Sequence, residues 1–150
     1  MLVLPGEKDL RGGIIQVSGP HGSGKTTLAR KLAENLGLPY VSLSPWRFTS
    51  IDPIHWDRET QIAFIKWQLH QQSREAVYDR GPEDGFAYGV LRGLLRVSEI
   101  YELIGSTRRD KFVILRTQTF VKREYPLEPW KVVRMLRCCL TVLGIEWVEL

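Results

Sequence analysis

The sequence is poor in cysteine: among its 150 residues only Cys138 and Cys139 carry thiols. Side chains of adjacent residues on a helix diverge by about 100° and rarely bridge. The pair is therefore expected to be reduced packing residues rather than a disulfide or a metal site. Long hydrophobic runs are missing as well, since none approaches the ~20 apolar residues that span a bilayer. The opening segment "MLVLPGEKDLRGG" breaks at Pro5 and Gly6 with no basic stretch ahead of it, unlike a secretory leader. The expectation is a cytoplasmic protein with no membrane contact. There is no low-complexity tract and no internal repeat, and a composition of 43% hydrophobic and 25% charged residues with five tryptophans argues against disorder. A chain of this length buries roughly 70% of its unfolded surface, so one domain over residues 1–150 is expected. Neither sign of charge dominates, with 21 basic and 17 acidic residues; a net +4 and a pI near 9.2 favour anionic partners, whether phosphates, nucleotides or nucleic acid, without singling one out.

What is present is an alternation of short β-rich runs with helical periodicity. "GIIQVS" (13–18) is an apolar run bounded by glycine, as a strand buried on both faces would be. Leu28, Leu32 and Leu36 then recur at helical spacing and Gly37 stops the helix. "PYVSLS" (39–44) is expected as a second strand, a helix from Arg58 to about Ser73 carries Ile62, Ile65 and Leu69, and "EAVYDR" (75–80) is a third strand. A helical region over residues 84–104, interrupted near Gly89 and Gly93, precedes a fourth strand, "KFVILRT" (111–117). Pro129 suits the first turn of a helix with Val133, Leu136, Leu140 and Leu143 along its stripe; Gly144 ends it and "IEWVEL" closes the chain as a fifth strand. Five strands separated by helices imply an α/β fold with a five-stranded parallel sheet flanked by helices.

The seam between the first strand and the first helix reads "GPHGSGKT" (19–26). It satisfies G-x-x-x-x-G-K-[ST] in the strand-to-helix context that the phosphate-binding loop requires. Glycines at 19, 22 and 24 let successive backbone N–H groups turn toward a polyphosphate, and the helix presents its positive end to the same anion. Gly19, His21, Gly22, Ser23, Gly24, Lys25, Thr26 and Thr27 are thus the candidate nucleotide-binding residues. Lys25 would reach the β- and γ-phosphates, and the Thr26 hydroxyl would ligate Mg²⁺. His21 reads as a spacer or an exposed side chain rather than a base.

A second constellation, "VYDRGPEDGFAY" (77–88), puts Asp79 and Arg80 at the carboxyl end of the third strand, where open parallel sheets gather ligands. Asp79 is a candidate metal ligand with Thr26, or a proton acceptor, and Arg80 a clamp for a transferring phosphoryl group. With this pair the chain resembles the P-loop nucleoside and nucleotide kinases of the thymidylate-kinase-like group. The resemblance implies a three-layer P-loop NTPase fold, ATP and Mg²⁺ as cofactors, and a mobile lid after the fourth strand, here residues 117–129, from which Arg123 would reach the migrating phosphate. Arg116 and Lys122 flank that role, and Arg134 or Arg137 could substitute.

Acceptor recognition is expected from "SPWRFTSIDPIHW" (44–56). Trp46, Phe48 and Trp56 either stack on a base, with Arg47 for a phosphate or sugar, or form a satellite core. Phe86 and Tyr88 read as structural, Asp84 as a polar neighbour of interest. The deoxynucleoside kinases carry a carboxylate just after the second strand, and "YVSLSPWRF" has none, Asp52 being the nearest. Asp79 is then the base, or the acceptor is already a phosphate. The reading is phosphoryl transfer from ATP to a nucleoside or nucleoside monophosphate. A polynucleotide 5′-kinase or nucleic-acid-linked ATPase is permitted by the charge but not favoured by its dispersion, and a non-catalytic nucleotide-binding module is the third reading. A homodimer through the side of the fourth and fifth strands is open.

Overall fold

The computed structural model describes residues 13–105, 110–119 and 127–150. Five strands form one parallel sheet: β1 (Ile14–Ser18), β2 (Tyr40–Ser42), β3 (Ala76–Asp79), β4 (Phe112–Leu115) and β5 (Glu146–Glu149), in the order β2-β3-β1-β4-β5. The middle strand β1 and its neighbour β3 are buried at every position, which is why they are predominantly apolar. Register brings Val17 opposite Asp79, Ser42 opposite Asp79 and Ser18 opposite Leu115. The carboxyl ends of four strands thus meet along one edge.

Helices cover both faces of the sheet. On one, α1 (Lys25–Leu36) packs Ala29, Ala33 and Leu36 against Ile15, Val17, Val77 and Ile114. The small alanines, not Leu28 and Leu32, form its innermost line; those two leucines are only half-buried, because a helix lying directly on a sheet brings its closest line within reach of small side chains only. On the other face lie α3 (Arg58–Gln71), α4 (Pro82–Leu91), α5 (Ile100–Ile104) and α6 (Pro129–Leu143). Ile65, Phe86, Val113, Leu140 and Leu143 make one cluster there, and Ala87, Leu115, Val133 and Leu136 another. In α3 the buried line is Gln61, Phe64, Ile65 and Gln68, whereas Ile62 and Leu69 pack at its margin.

Helix ends follow the expected chemistry. Gly37 and Gly144 adopt left-handed backbone at φ 66° and 68° and close α1 and α6, and Pro129 opens α6. One helix differs from expectation. Helix α4 begins at Pro82 and runs through Gly89 without interruption; Gly89 is there because Leu95 and Gln61 pack against it, a Cβ falling 2.5 Å from Leu95 Cδ1. The segment after β2 expected to recognise the acceptor holds a helical turn, α2 (Pro45–Phe48), and a 3₁₀ turn at Pro53–His55. Both thiols are free, Cys138 exposed and Cys139 buried, and burial pushes the Cys139 thiol far above its ordinary range. No helix among the described residues is long and apolar enough to cross a membrane.

Candidate functional site

The loop from Gly19 to Gly24 leaves the end of β1 and turns straight into α1. Gly19 sits at φ 144°, and a Cβ on it would lie 2.6 Å from the Arg116 carbonyl oxygen, so the loop's first turn has no room for a side chain. Arg116, directly after β4, braces the loop from outside, its Nε donating to the Ser23 carbonyl at 3.0 Å. Inside, the Ser23 hydroxyl is buried without a hydrogen-bond partner among the described residues. The Lys25 ammonium, on a nearly buried side chain, donates to the Pro20 carbonyl at 2.9 Å across the loop. Such a turn of inward backbone with a cation at its mouth is built for a polyphosphate.

Asp79, the last residue of β3, is brought to the start of α1 by its register with β1. Its Oδ2 accepts from the Thr26 hydroxyl at 2.7 Å and from the Tyr40 hydroxyl at 2.8 Å. Thr26 and Asp79 therefore converge as two hard oxygen donors beside the phosphate loop, a set that fits Mg²⁺ shared with water and a nucleotide. Among the described residues no cluster of three or more histidine, cysteine or acidic side chains offers a denser metal site. Tyr40 carries the Arg30 guanidinium 4.9 Å over its ring. Partial burial, and then the bond to the Asp79 carboxylate, hold the Tyr40 hydroxyl above its ordinary pKa, so it stays a donor.

Arg80 follows with left-handed backbone at φ 78°, alone among the described non-glycine residues. Its amide donates to Val17 O at 2.9 Å, and its guanidinium lies 5.5 Å from the Tyr88 ring centre. Behind it, Asp84 is buried with its carboxylate accepting from Ser18 Oγ at 2.6 Å, Gly81 N at 3.0 Å and Gly19 N at 3.3 Å. Burial pushes this carboxyl upward, against the pull of the Arg80 charge and the Ser18 hydroxyl.

Lys25, Thr26, Tyr40, Asp79 and Arg80 open onto one cleft of about 990 Å³ that runs from His21, Gly22, Gly24 and Thr27 to Trp46, Arg47 and Asp52. The sequence-derived residues on β1, α1 and β3 are thus brought together. The aromatic residues of 44–56 divide. Phe48 and Trp56 join Phe64 and Trp67 in a packed group, with Trp56 and Phe64 ring centres 5.0 Å apart, whereas Trp46 is 58% exposed at the cleft. Asp52 caps the 3₁₀ turn, accepting from Ile54 N at 3.0 Å. Arg137, expected as a substitute cation, is paired with Glu149 on β5. Lys122, Arg123 and most of the expected lid fall outside the described residues.

One residue escaped the reading by pattern, and Asp84 was legible there only as a polar neighbour. Tyr40 looks like an ordinary strand residue until β2 pairs with β3. The weight of Asp84 is hidden because its partners lie 65 and 66 positions away; the available signal was Gln16, a polar residue interrupting an apolar strand.

A family model described as "ATPase family associated with various cellular activities (AAA)" matches residues 15–79, less than half of the chain. No curated protein sequence matches. Among solved structures, NadR in complex with NAD and AMP-PNP superposes with a TM-score of 0.73 at 22% identity over 92% of this chain, which spans 44% of the NadR chain. YorR from Bacillus subtilis, in complex with phosphorylated GDP, gives 0.59 at 13% identity, covering 91% of this chain and 84% of its own. Thymidylate kinase from Candida albicans gives 0.57 at 18%, covering 93% and 84%. With the loop, the sheet order and these likenesses together, the chain has the fold of the P-loop nucleotide kinases.

Proposed function

We propose that the protein is a kinase that transfers the γ-phosphoryl group of ATP to a nucleoside or nucleoside monophosphate. The observation that carries this reading is the convergence of Thr26, Asp79 and Arg80 beside Lys25 in one cleft. A loop alone would serve any nucleotide-binding protein. A carboxylate holding the metal-side hydroxyl, with an arginine at the next residue, adds what group transfer needs. Fold neighbours support the acceptor class: NadR has been solved with NR, and deoxyadenosine kinase from M. mycoides with dCTP.

In this reading the loop amides and Lys25 hold the donor phosphates, and Thr26 and Asp79 are the residues that would hold Mg²⁺, which would supply charge neutralisation on the phosphates. Arg80 faces the equatorial oxygens of the migrating group. An acceptor oxygen bonds to the γ-phosphorus as the bond to the β–γ bridging oxygen breaks, and ADP leaves. A monophosphate oxygen is already an anion and has no proton to lose, whereas a nucleoside hydroxyl would need Asp79 as its proton acceptor in place of the metal role. Lys25, Arg30, Arg47, Arg74 and Arg80 line the cleft against only two carboxylates, Asp52 and Asp79, which favours an acceptor that carries phosphate. The same charge, with exposed Trp46 as a stacking surface, supports a second reading in which the acceptor is a 5′-hydroxyl oligonucleotide.

The test is transfer of labelled γ-phosphate from Mg-ATP to nucleosides, nucleoside monophosphates and 5′-hydroxyl oligonucleotides. Product on a mononucleotide is expected, with Lys25→Ala lowering the rate by about 10²-fold or more while the fold is retained. Product on the oligonucleotide alone establishes the second reading. Tight ATP binding without product on any acceptor overturns both in favour of a nucleotide-binding module.

A further inference from the structure

Asp84 binds three backbone or side-chain donors that belong to two separate anion-handling parts of the site. Ser18 and Gly19 are the end of β1 and the first residue of the phosphate loop; Gly81 is the residue that follows Arg80. As the third residue of α4, Asp84 caps that helix through Gly81. Capping does not account for the 2.6 Å bond to Ser18 or the reach to Gly19. Arg80, meanwhile, holds a left-handed backbone at φ 78°, a conformation that a non-glycine residue keeps only when its surroundings over-determine it. Its surroundings do so from both sides: the Arg80 amide is bound to β1 through Val17 O, and the Gly81 amide is bound to Asp84.

We propose that Asp84 is a positioning residue which fixes the distance between the phosphate-binding loop and the Arg80 guanidinium by holding Ser18, Gly19 and Gly81 on one buried carboxylate. The proposal rests on the kinase reading above and deepens it: Asp84 touches neither nucleotide nor acceptor and acts through Arg80 and the loop. Asp84 is itself backed from the interior. Gln16 Nε2 donates to Ser18 Oγ at 2.8 Å and to Glu83 Oε1 at 2.9 Å, and Glu83 is paired with Lys111 at 2.6 Å. A rigid backing of this kind is what sub-ångström alignment of an arginine with a transferring group demands.

The experiment is a double-mutant cycle on the whole chain with Asp84→Asn and Arg80→Ala. It reads γ-phosphate transfer from saturating Mg-ATP, to the best acceptor or otherwise to water, and Mg-ATP affinity by calorimetry, at a temperature where unfolding curves show all four proteins folded. Asparagine keeps the shape but offers one acceptor oxygen where three donors converge. If Asp84 acts through Arg80, Asp84→Asn slows transfer about tenfold in the wild-type background and less than about threefold once Arg80 is alanine. A purely structural role gives the same factor in both backgrounds, and that result overturns the proposal, as does an unchanged rate. Should Asp84→Asn not fold, Ser18→Ala, which deletes one of the three donors and leaves the carboxylate, takes its place in the cycle with the same non-additivity expected. A wild-type chain that fails to bind Mg-ATP at all overturns the nucleotide-binding reading itself; binding with additive effects overturns only the role given to Asp84.

Discussion

At Gly81 the chain passes so close to the interior that a Cβ would fall 1.9 Å from Gln16 Oε1 and 2.2 Å from Gln16 Cδ. The Gln16 amide cannot swing aside freely, because Gln72 Nε2 and Lys111 Nζ both donate to that oxygen, at 2.7 and 2.8 Å. Gly81→Ala is therefore expected to destabilise the protein by roughly 1–3 kcal/mol, the usual cost of overpacking a core, as measured by urea unfolding. A loss below about 0.5 kcal/mol, the range of ordinary surface changes, would show that the Gln16 side chain is not held. This residue also explains what could be read from the sequence at the site. Lys25 and Thr26 are fixed by loop spacing, and Asp79 and Arg80 by their place at a strand end, so local pattern reveals them. Gly81, Asp84 and Tyr40 owe their importance to partners on other strands, Tyr40 to Asp79 and Asp84 to Ser18, and no local spacing encodes that.

Among the elements, the joint between α3 and the 3₁₀ turn Val97–Glu99 is held electrostatically. Arg58 forms a two-pronged pair with Glu99, Nη1 to Oε1 at 2.9 Å and Nη2 to Oε2 at 2.5 Å, and Glu99 also accepts from the Arg96 amide at 2.9 Å. The Arg58 hydrogen bonds, followed by the Arg96 amide, lower the Glu99 carboxyl from 4.5 to about 2. A carboxyl depressed in the folded state stabilises it above the unfolded value and loses that contribution as pH falls through the folded one. The stability difference between the wild type and Glu99→Gln is thus expected to be full near neutral pH, to shrink below 4.5 and to vanish near 2. Urea titrations of both proteins across that range check it, and a difference independent of pH would mean the pair carries no linkage. Element boundaries were legible where backbone chemistry marks them, as at Gly37, Pro129 and Gly144. They were not where tertiary packing sets them: Gly89 signals a helix break by propensity, yet Leu95 packs onto it and α4 continues.

Taken as a whole, the molecule joins its layers through a polar node rather than apolar contact alone. Strand alternation makes the α/β class legible, but periodicity is silent on which strands lie centrally and on what meets beneath them. Gln16 of β1, Gln72 at the end of α3, Glu83 of α4 and Lys111 at the entry to β4 converge there. Lys111 Nζ donates to Glu83 Oε1 at 2.6 Å, Gln16 Oε1 at 2.8 Å and Gln72 Oε1 at 3.3 Å, and neither charged side chain has any exposure. Burial lowers the Lys111 pKa and the Glu83 charge opposes that fall. An ion pair in such a place contributes little net stability over an apolar pair of similar volume, but losing one member strands the other's charge. Lys111→Met alone is accordingly expected to cost about 3–5 kcal/mol, and adding Glu83→Leu to recover most of that loss. Equilibrium unfolding of the two variants decides between this and a node whose geometry is itself indispensable, in which case the double variant would be no more stable than Lys111→Met. Transfer rates on the same proteins extend the argument to function: Gln16 links the node to Ser18 and so to Asp84. A double variant that regains stability is therefore still expected to transfer phosphate more slowly than the wild type.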